Sequence, residues 1–163
     1  MLQESLQGMV ERLLSEVRDF YNERLVSLAV FGSFGRGTPS FDSDIDFLII
    51  VRDLPTGRMK RIREFEAIEK NMSSMITALH EKGIHTSLSP VIKSPEEALT
   101  GSPLFLDMVE DAKILFDPEG FFAGVLARLR NRLQDLGSRR VRLGNAWYWV
   151  LKPDIKAGEV FEI

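Results

Sequence analysis

The 163-residue chain contains no cysteine and only two histidines, His80 and His85. Disulfides, thiolate nucleophiles and cysteine-based zinc sites are therefore excluded, and a histidine-rich metal centre lacks ligands. A hard-cation site built from oxygen stays open. No run approaches the roughly 20 apolar residues of a membrane span. The opening MLQESLQGMVERLL is amphipathic and acidic, without the basic start of a signal peptide. These absences lead to the expectation of a cytoplasmic protein with no membrane partner. Strong net charge is lacking too: 21 Lys+Arg face 24 Asp+Glu, for a net charge of −3. That excludes coating of nucleic acid by bulk charge but leaves room for a local basic patch. With 44% hydrophobic and 28% charged residues, the composition is that of one folded domain with a short appended element.

What is present is periodic. Leu2, Leu6, Met9, Leu13, Val17 and Phe20 recur at three and four, which predicts a helix with one buried stripe. Val26–Phe31 reads as a buried strand, 32–43 as a loop rich in Gly, Ser, Pro and Thr, and Ile45–Val51 as a second strand. Apolar residues at helical spacing predict a long helix over 58–81, closed by Gly83. A third strand is expected over 84–92, with Pro90 confining it to an edge or a bulge. Ser94-Pro95-Glu96-Glu97 combines a capping serine, a first-turn proline and a capping-box glutamate. Ser102-Pro103 and Asp117-Pro118 repeat the device before helices at 104–110 and 121–136, with a short strand at 113–116 between them. The fold class expected is mixed α+β, a small mixed sheet flanked by helices, with a C-terminal helix and an aromatic tail. Residues 1–116 are expected to form the core domain and 117–163 a helix plus a basic, aromatic extension packed on it.

The chemistry concentrates in Phe31-Gly32-Ser33-Phe34-Gly35-Arg36-Gly37 and, with ten residues between Ser33 and Asp44, in Asp44-Ile45-Asp46-Phe47. Side chains alternate along a strand, so Asp44 and Asp46 share a face with Cα atoms about 6.5–7 Å apart. Two such carboxylates repel one another unless a divalent cation lies between them. Mg²⁺ suits the pair, with Mn²⁺ as the alternative, because it fills its remaining positions with water and phosphate. Gly32, Gly35 and Gly37 permit close backbone approach to a phosphate, Ser33 adds a hydroxyl, and Arg36 offers a fork of donors or else ties down the loop. The expected nucleotide-binding set is Gly32, Ser33, Arg36 and Gly37; the expected metal-binding and catalytic pair is Asp44 and Asp46. A P-loop is excluded because Gly37 is followed by Thr38-Pro39, and no G-x-G-x-x-G opens a helix after the first strand. The bland alternative, Asp44 as a loop cap, leaves Asp46 inside a strand unexplained, since aspartate is disfavoured there.

These residues resemble the nucleotidyltransferases of the DNA polymerase beta superfamily, in particular its stand-alone, antitoxin-like minimal members. The resemblance is specific over 28–51 and extends in layout to about residue 116. It implies attack of an acceptor hydroxyl on the α-phosphate of a nucleoside triphosphate, ATP being the expected donor, with release of pyrophosphate. It also implies acceptors that include protein hydroxyls, among them those of a HEPN-type toxin partner, small molecules and RNA ends. Active relatives carry a third carboxylate on a later strand. Here 84–91 has no Asp or Glu, so Ser87 or His85 is expected at that position. Two readings follow: an acid from elsewhere (Asp42, Asp107, Glu110 or Asp111) completes the site, or the chain is a silent nucleotide-binding or antitoxin module acting through complex formation.

Outside the motif, His85 reads as a structural strand residue and His80 as a partner of its helix's C-terminal carbonyls. Residues 128–152 hold seven Lys/Arg against Asp135, while 101–120 hold five acids against Lys113, so the two stretches are expected to neutralise each other or a symmetry mate. Trp147-Tyr148-Trp149 is expected to cover the core or a protein partner rather than stack on bases. The run Arg58, Lys60, Arg61, Arg63 is read as a solvated face. Direct nucleic-acid binding is the minor alternative, and homo-oligomerisation is left open.

Overall fold

A computed structural model describes residues 2–163. Helix α1, Leu2–Tyr21, buries Leu6, Met9, Leu13 and Val17 of the expected stripe, but at its end Tyr21 is buried and Phe20 is exposed. One 3-10 turn leads into β1, Leu25–Val30, whose six residues are all buried. The four-residue helix α2, Gly32–Gly35, opens the glycine-rich loop, which returns to β2, Ile45–Val51. Then follow α3 (Arg58–Glu81), β3 (Leu88–Lys93), α4 (Pro95–Thr100), α5 (Leu104–Asp111), β4 (Lys113–Phe116) and α6 (Phe121–Asp135). A hairpin of β5 (Arg139–Leu143) and β6 (Ala146–Val150) forms a second, two-stranded sheet.

The main sheet has the order β3-β2-β1-β4. Strand β1 is antiparallel to both β2 and β4, while β2 and β3 run parallel. Alternation along β2 feeds two cores. Ile45, Phe47, Ile49 and Val51 join α1 and α3 on one face, and Leu48 and Ile50 join α4, α5 and α6 on the other. The molecule is thus the helix-flanked mixed sheet of the α+β class expected from the sequence. Among the described residues no helix is long and apolar enough to cross a membrane.

Two boundaries differ from the sequence-based expectation. The third strand begins at Leu88, not at residue 84. The Ile84 N–H closes the C-terminus of α3 on the Leu79 carbonyl, and the His85 N–H goes to Phe41. Only at Ser87, whose carbonyl takes the Ile45 N–H at 2.9 Å, does the chain come alongside β2. That bond turns Ser87 toward β2, so alternation points the nitrogen of Pro90 outward on this edge strand, where no donor is needed. The hairpin is the second difference, since no strands were expected after Gly137. Its two-residue Gly144-Asn145 connection, with Gly144 at φ +63°, is a hairpin signal.

Arg61 corrects the reading of a wholly solvated basic face. Its guanidinium grips Glu97 of α4 at 2.7 and 3.0 Å and covers the outward carbonyl of Ile92 at 3.4 Å. The capping box is present as read: Ser94 Oγ accepts the Glu97 N–H and the Glu97 carboxylate accepts the Ser94 N–H.

Candidate functional site

The glycine-rich loop is pinned to the end of β2 by the Phe31 N–H, which donates to the Asp46 carbonyl at 2.9 Å. Gly32 follows with φ +61°, and a Cβ there would collide with the Asp46 carboxylate. Glycine is needed twice over, for the left-handed backbone and for the space. The N–H groups of Gly35 and Arg36 are taken up by the carbonyls of Phe31 and Gly32, and those of Gly37 and Thr38 by Phe34 and Ser33. The first-turn amides of Ser33 and Phe34 have no acceptor within so short a helix, and the Ser33 hydroxyl has no partner among the described residues. Gly35 packs so closely on the Asp111 carbonyl, at the end of α5, that a side chain would not fit.

Asp44 is exposed at the mouth of β2. Its Oδ1 accepts the Ser87 hydroxyl at 2.6 Å and the Ser87 N–H at 3.1 Å. Asp46 is half-buried and stands in register with Ser89 of β3. Burial pushes its carboxyl above the usual range; a hydrogen bond from Ser89 opposes that, the Asp44 charge adds to it, and the Arg36 charge opposes it. The serines of β3 and of the residue before it therefore flank the acidic pair.

The other candidates lie as follows. His85 is exposed, and its ring lies 5.5 Å from that of His80, whose Nε2 bonds the Thr86 carbonyl at 3.0 Å rather than the end of its own helix. Asp107 Oδ1 accepts the indole N–H groups of Trp147 and Trp149 at 2.8 and 2.9 Å. Glu110 and Asp111 pair with Arg140 at 3.5 and 3.0 Å. The acidic and basic stretches thus meet within one molecule. Among the described residues no three His, Cys, Asp or Glu side chains converge on one point. Asp44 and Asp46 stand near enough for the charge of one to act on the other, and among the described residues no third acid joins them.

Such a pair, beside a loop kept clear of side chains at Gly32, suits a hard cation that draws its remaining ligands from water and phosphate. It does not suit a cation needing a full protein cage. From Asp44 and Ser87 an open cleft of about 910 Å³ runs along the free edge of β3 to Arg58, Arg61 and Lys93. What sequence reasoning missed is the meeting of Asp111, Arg140 and Trp147 at Arg36; Asp111 stood only among the candidate third acids. Their shared position depends on the hairpin, for which Gly144-Asn145 was the available signal.

Residues 10–115 match the family model of the nucleotidyltransferase domain. A Methanocaldococcus jannaschii protein, MJ1305, to which protein adenylyltransferase activity is ascribed by name, is 27% identical over 127 residues, 77% of this chain and 81% of its own. Among solved structures, a chain of a toxin–antitoxin complex with AMP-PNP is 16% identical with a TM-score of 0.47, covering 78% of this chain and 91% of that one. A chain from the complex of the tri-AMPylated Shewanella oneidensis HEPN toxin with its MNT antitoxin is 15% identical with a TM-score of 0.40, covering 84% and 93%. Likeness this distant bears on neither the substrate nor the partner of this chain. The family match spans β1, the Gly32-Ser33 turn and the Asp44/Asp46 strand, and by it this chain belongs to the nucleotidyltransferase-domain family, whose members generally use divalent metal ions.

Proposed function

We propose that this chain transfers AMP from ATP to a hydroxyl group of a protein, and that residues 1–116 are the catalytic unit on which 117–163 pack. The observation that carries the reading is the Asp46 carboxylate lying against Gly32, within reach of the charge of Asp44, which lines the cleft along β3. Within the set Gly32, Ser33, Arg36 and Gly37, the β- and γ-phosphates are held by the free Ser33 amide, the Ser33 hydroxyl and the Arg36 guanidinium, while Gly32 and Gly37 let the backbone approach closely. Asp44 and Asp46 would hold Mg²⁺, or Mn²⁺ in its place. Such an ion, when bound, neutralises phosphate charge and polarises the α-phosphate. The acceptor oxygen bonds to the α-phosphorus, the bond to the bridging oxygen breaks, and pyrophosphate departs. With Ser87 and Ser89 where an acid would be expected, the hydroxyl proton passes to water in the cleft, and transfer is slow.

A protein acceptor agrees with the activity ascribed to the archaeal relative. A HEPN-type partner agrees with the resemblance drawn from the motif, and an ATP donor agrees with a cytoplasmic setting. Incubation with α-³²P-ATP, Mg²⁺ and a HEPN-type protein should label that protein, and Asp44→Asn should abolish the label. The missing third acid favours a second reading, a silent nucleotide-binding module that acts by complex formation. Tight Mg·ATP binding with no label in any acceptor would select it.

A further inference from the structure

The hairpin β5–β6 lies beyond the family match, yet it reaches back to the glycine-rich loop. We propose that Trp147 is a positioning residue, which holds the Arg36 guanidinium ready for the phosphates of a nucleotide. The inference rests on the reading of Gly32–Gly37 as a phosphate-holding loop.

The Arg36 guanidinium carbon lies 4.8 Å from the Trp147 ring centroid, and Arg36 Nη1 lies 3.5 Å from Asp111 Oδ2. The same indole carries Arg140 at 5.2 Å, and Arg140 Nη1 meets the same Asp111 oxygen at 3.0 Å. Two guanidinium groups thus share one aromatic ring and one buried carboxylate. Arg140 has the closer contact and also pairs with Glu110 at 3.5 Å, so it is the main counter-ion of Asp111. Arg36, with a single long contact, is held in place while its other donors stay free. Trp147 is itself locked: its indole N–H donates to Asp107 Oδ1, the atom that also takes Trp149, and its backbone stands opposite Arg142 in the hairpin.

An arginine on a glycine-rich loop otherwise samples many rotamers, and its ordering opposes ligand binding. Stacking it on a fixed indole removes that penalty before the ligand arrives.

The test is calorimetric titration of Mg·ATP into the intact chain and into Trp147→Leu, Trp147→Phe, Arg36→Ala and the Trp147→Leu/Arg36→Ala double variant. Trp147→Leu should weaken binding about tenfold and Trp147→Phe, which keeps an aromatic face, by less than about threefold. In the Arg36→Ala background, Trp147→Leu should cause no further loss. Equal losses in both backgrounds would mean that the tryptophan acts only through the general fold, and wild-type affinity in Trp147→Leu would likewise overturn the proposal. A second measurement does not depend on the folding of that variant. Trp149→Phe leaves Trp147 as the single indole, and Mg·ATP should change its emission. Calorimetric binding with unchanged emission overturns the positioning role alone, whereas absence of Mg·ATP binding to the unaltered chain overturns the nucleotide reading with it.

Discussion

At Gly32 a single hydrogen stands where any side chain would meet the Asp46 carboxylate. Gly32→Ala combines that collision with a left-handed backbone and should lower stability by about 1–2 kcal/mol in urea unfolding while abolishing Mg·ATP binding. Asp46 gives a prediction of opposite sign. Its folded-state pKa lies above the ordinary carboxylate range, chiefly through burial. The folded chain therefore keeps this proton over a window in which the unfolded chain has lost it. Ionisation of Asp46 subtracts from stability as pH rises through that window, and the penalty is complete above the raised value. Without divalent cation, Asp46→Asn should thus raise the melting temperature at neutral pH. The gain should vanish at pH values below the ordinary carboxylate range, and the variant should lose all stabilisation by Mg²⁺. Thermal melts at several pH values, with and without Mg²⁺, would check both. The Gly-Ser turn and the aspartate pair were legible in the sequence because alternation along one strand and the backbone freedom of glycine are local rules. The pairing of Asp111 was not, because its partners Arg36 and Arg140 lie 75 and 29 residues away.

Among the elements, those with end signals were read most closely. The helix over 58–81 matches α3, and the start of α4 follows from its capping box. Ser94→Ala should destabilise the chain by about 1 kcal/mol, measured by chemical unfolding, without affecting Mg·ATP affinity, since Ser94 lies at the far end of β3 from Asp44. Asp117 shows the same device in a looser form: its carboxylate accepts the N–H groups of Phe122 and Ala123 at 3.2 and 2.9 Å and the Ser27 hydroxyl at 2.7 Å. Strand β3 is expected too early because 84–92 has the length and the polar and apolar mix of a strand, whereas its true start is decided by where Ser87 meets Ile45. That meeting depends on a residue 42 positions away in sequence, so the run 84–92 alone does not encode it. The hairpin was hidden by its arginines, which read as a charged surface; their alternation with Val141 and Leu143 becomes visible only once the turn at Gly144 is recognised.

At the scale of the whole molecule, one buried carboxylate joins three parts. Asp111 ends α5, supports Gly35 of the loop through its carbonyl, and binds Arg36 and Arg140 through its side chain. Asp111→Asn would leave two guanidinium groups facing a neutral amide. It should cost about 2 kcal/mol in global stability, and faster amide exchange should be confined to 32–37 and the hairpin. Uniform acceleration over the main sheet would count against this coupling. The opposite rim of the molecule is β3, where proline presents no donor and Arg61 occupies the Ile92 carbonyl. A foreign strand arriving at that rim finds too few main-chain groups to zip against. That edge is thereby protected from strand addition when molecules crowd together, and an acceptor entering the neighbouring cleft must be recognised through side chains rather than by pairing with β3.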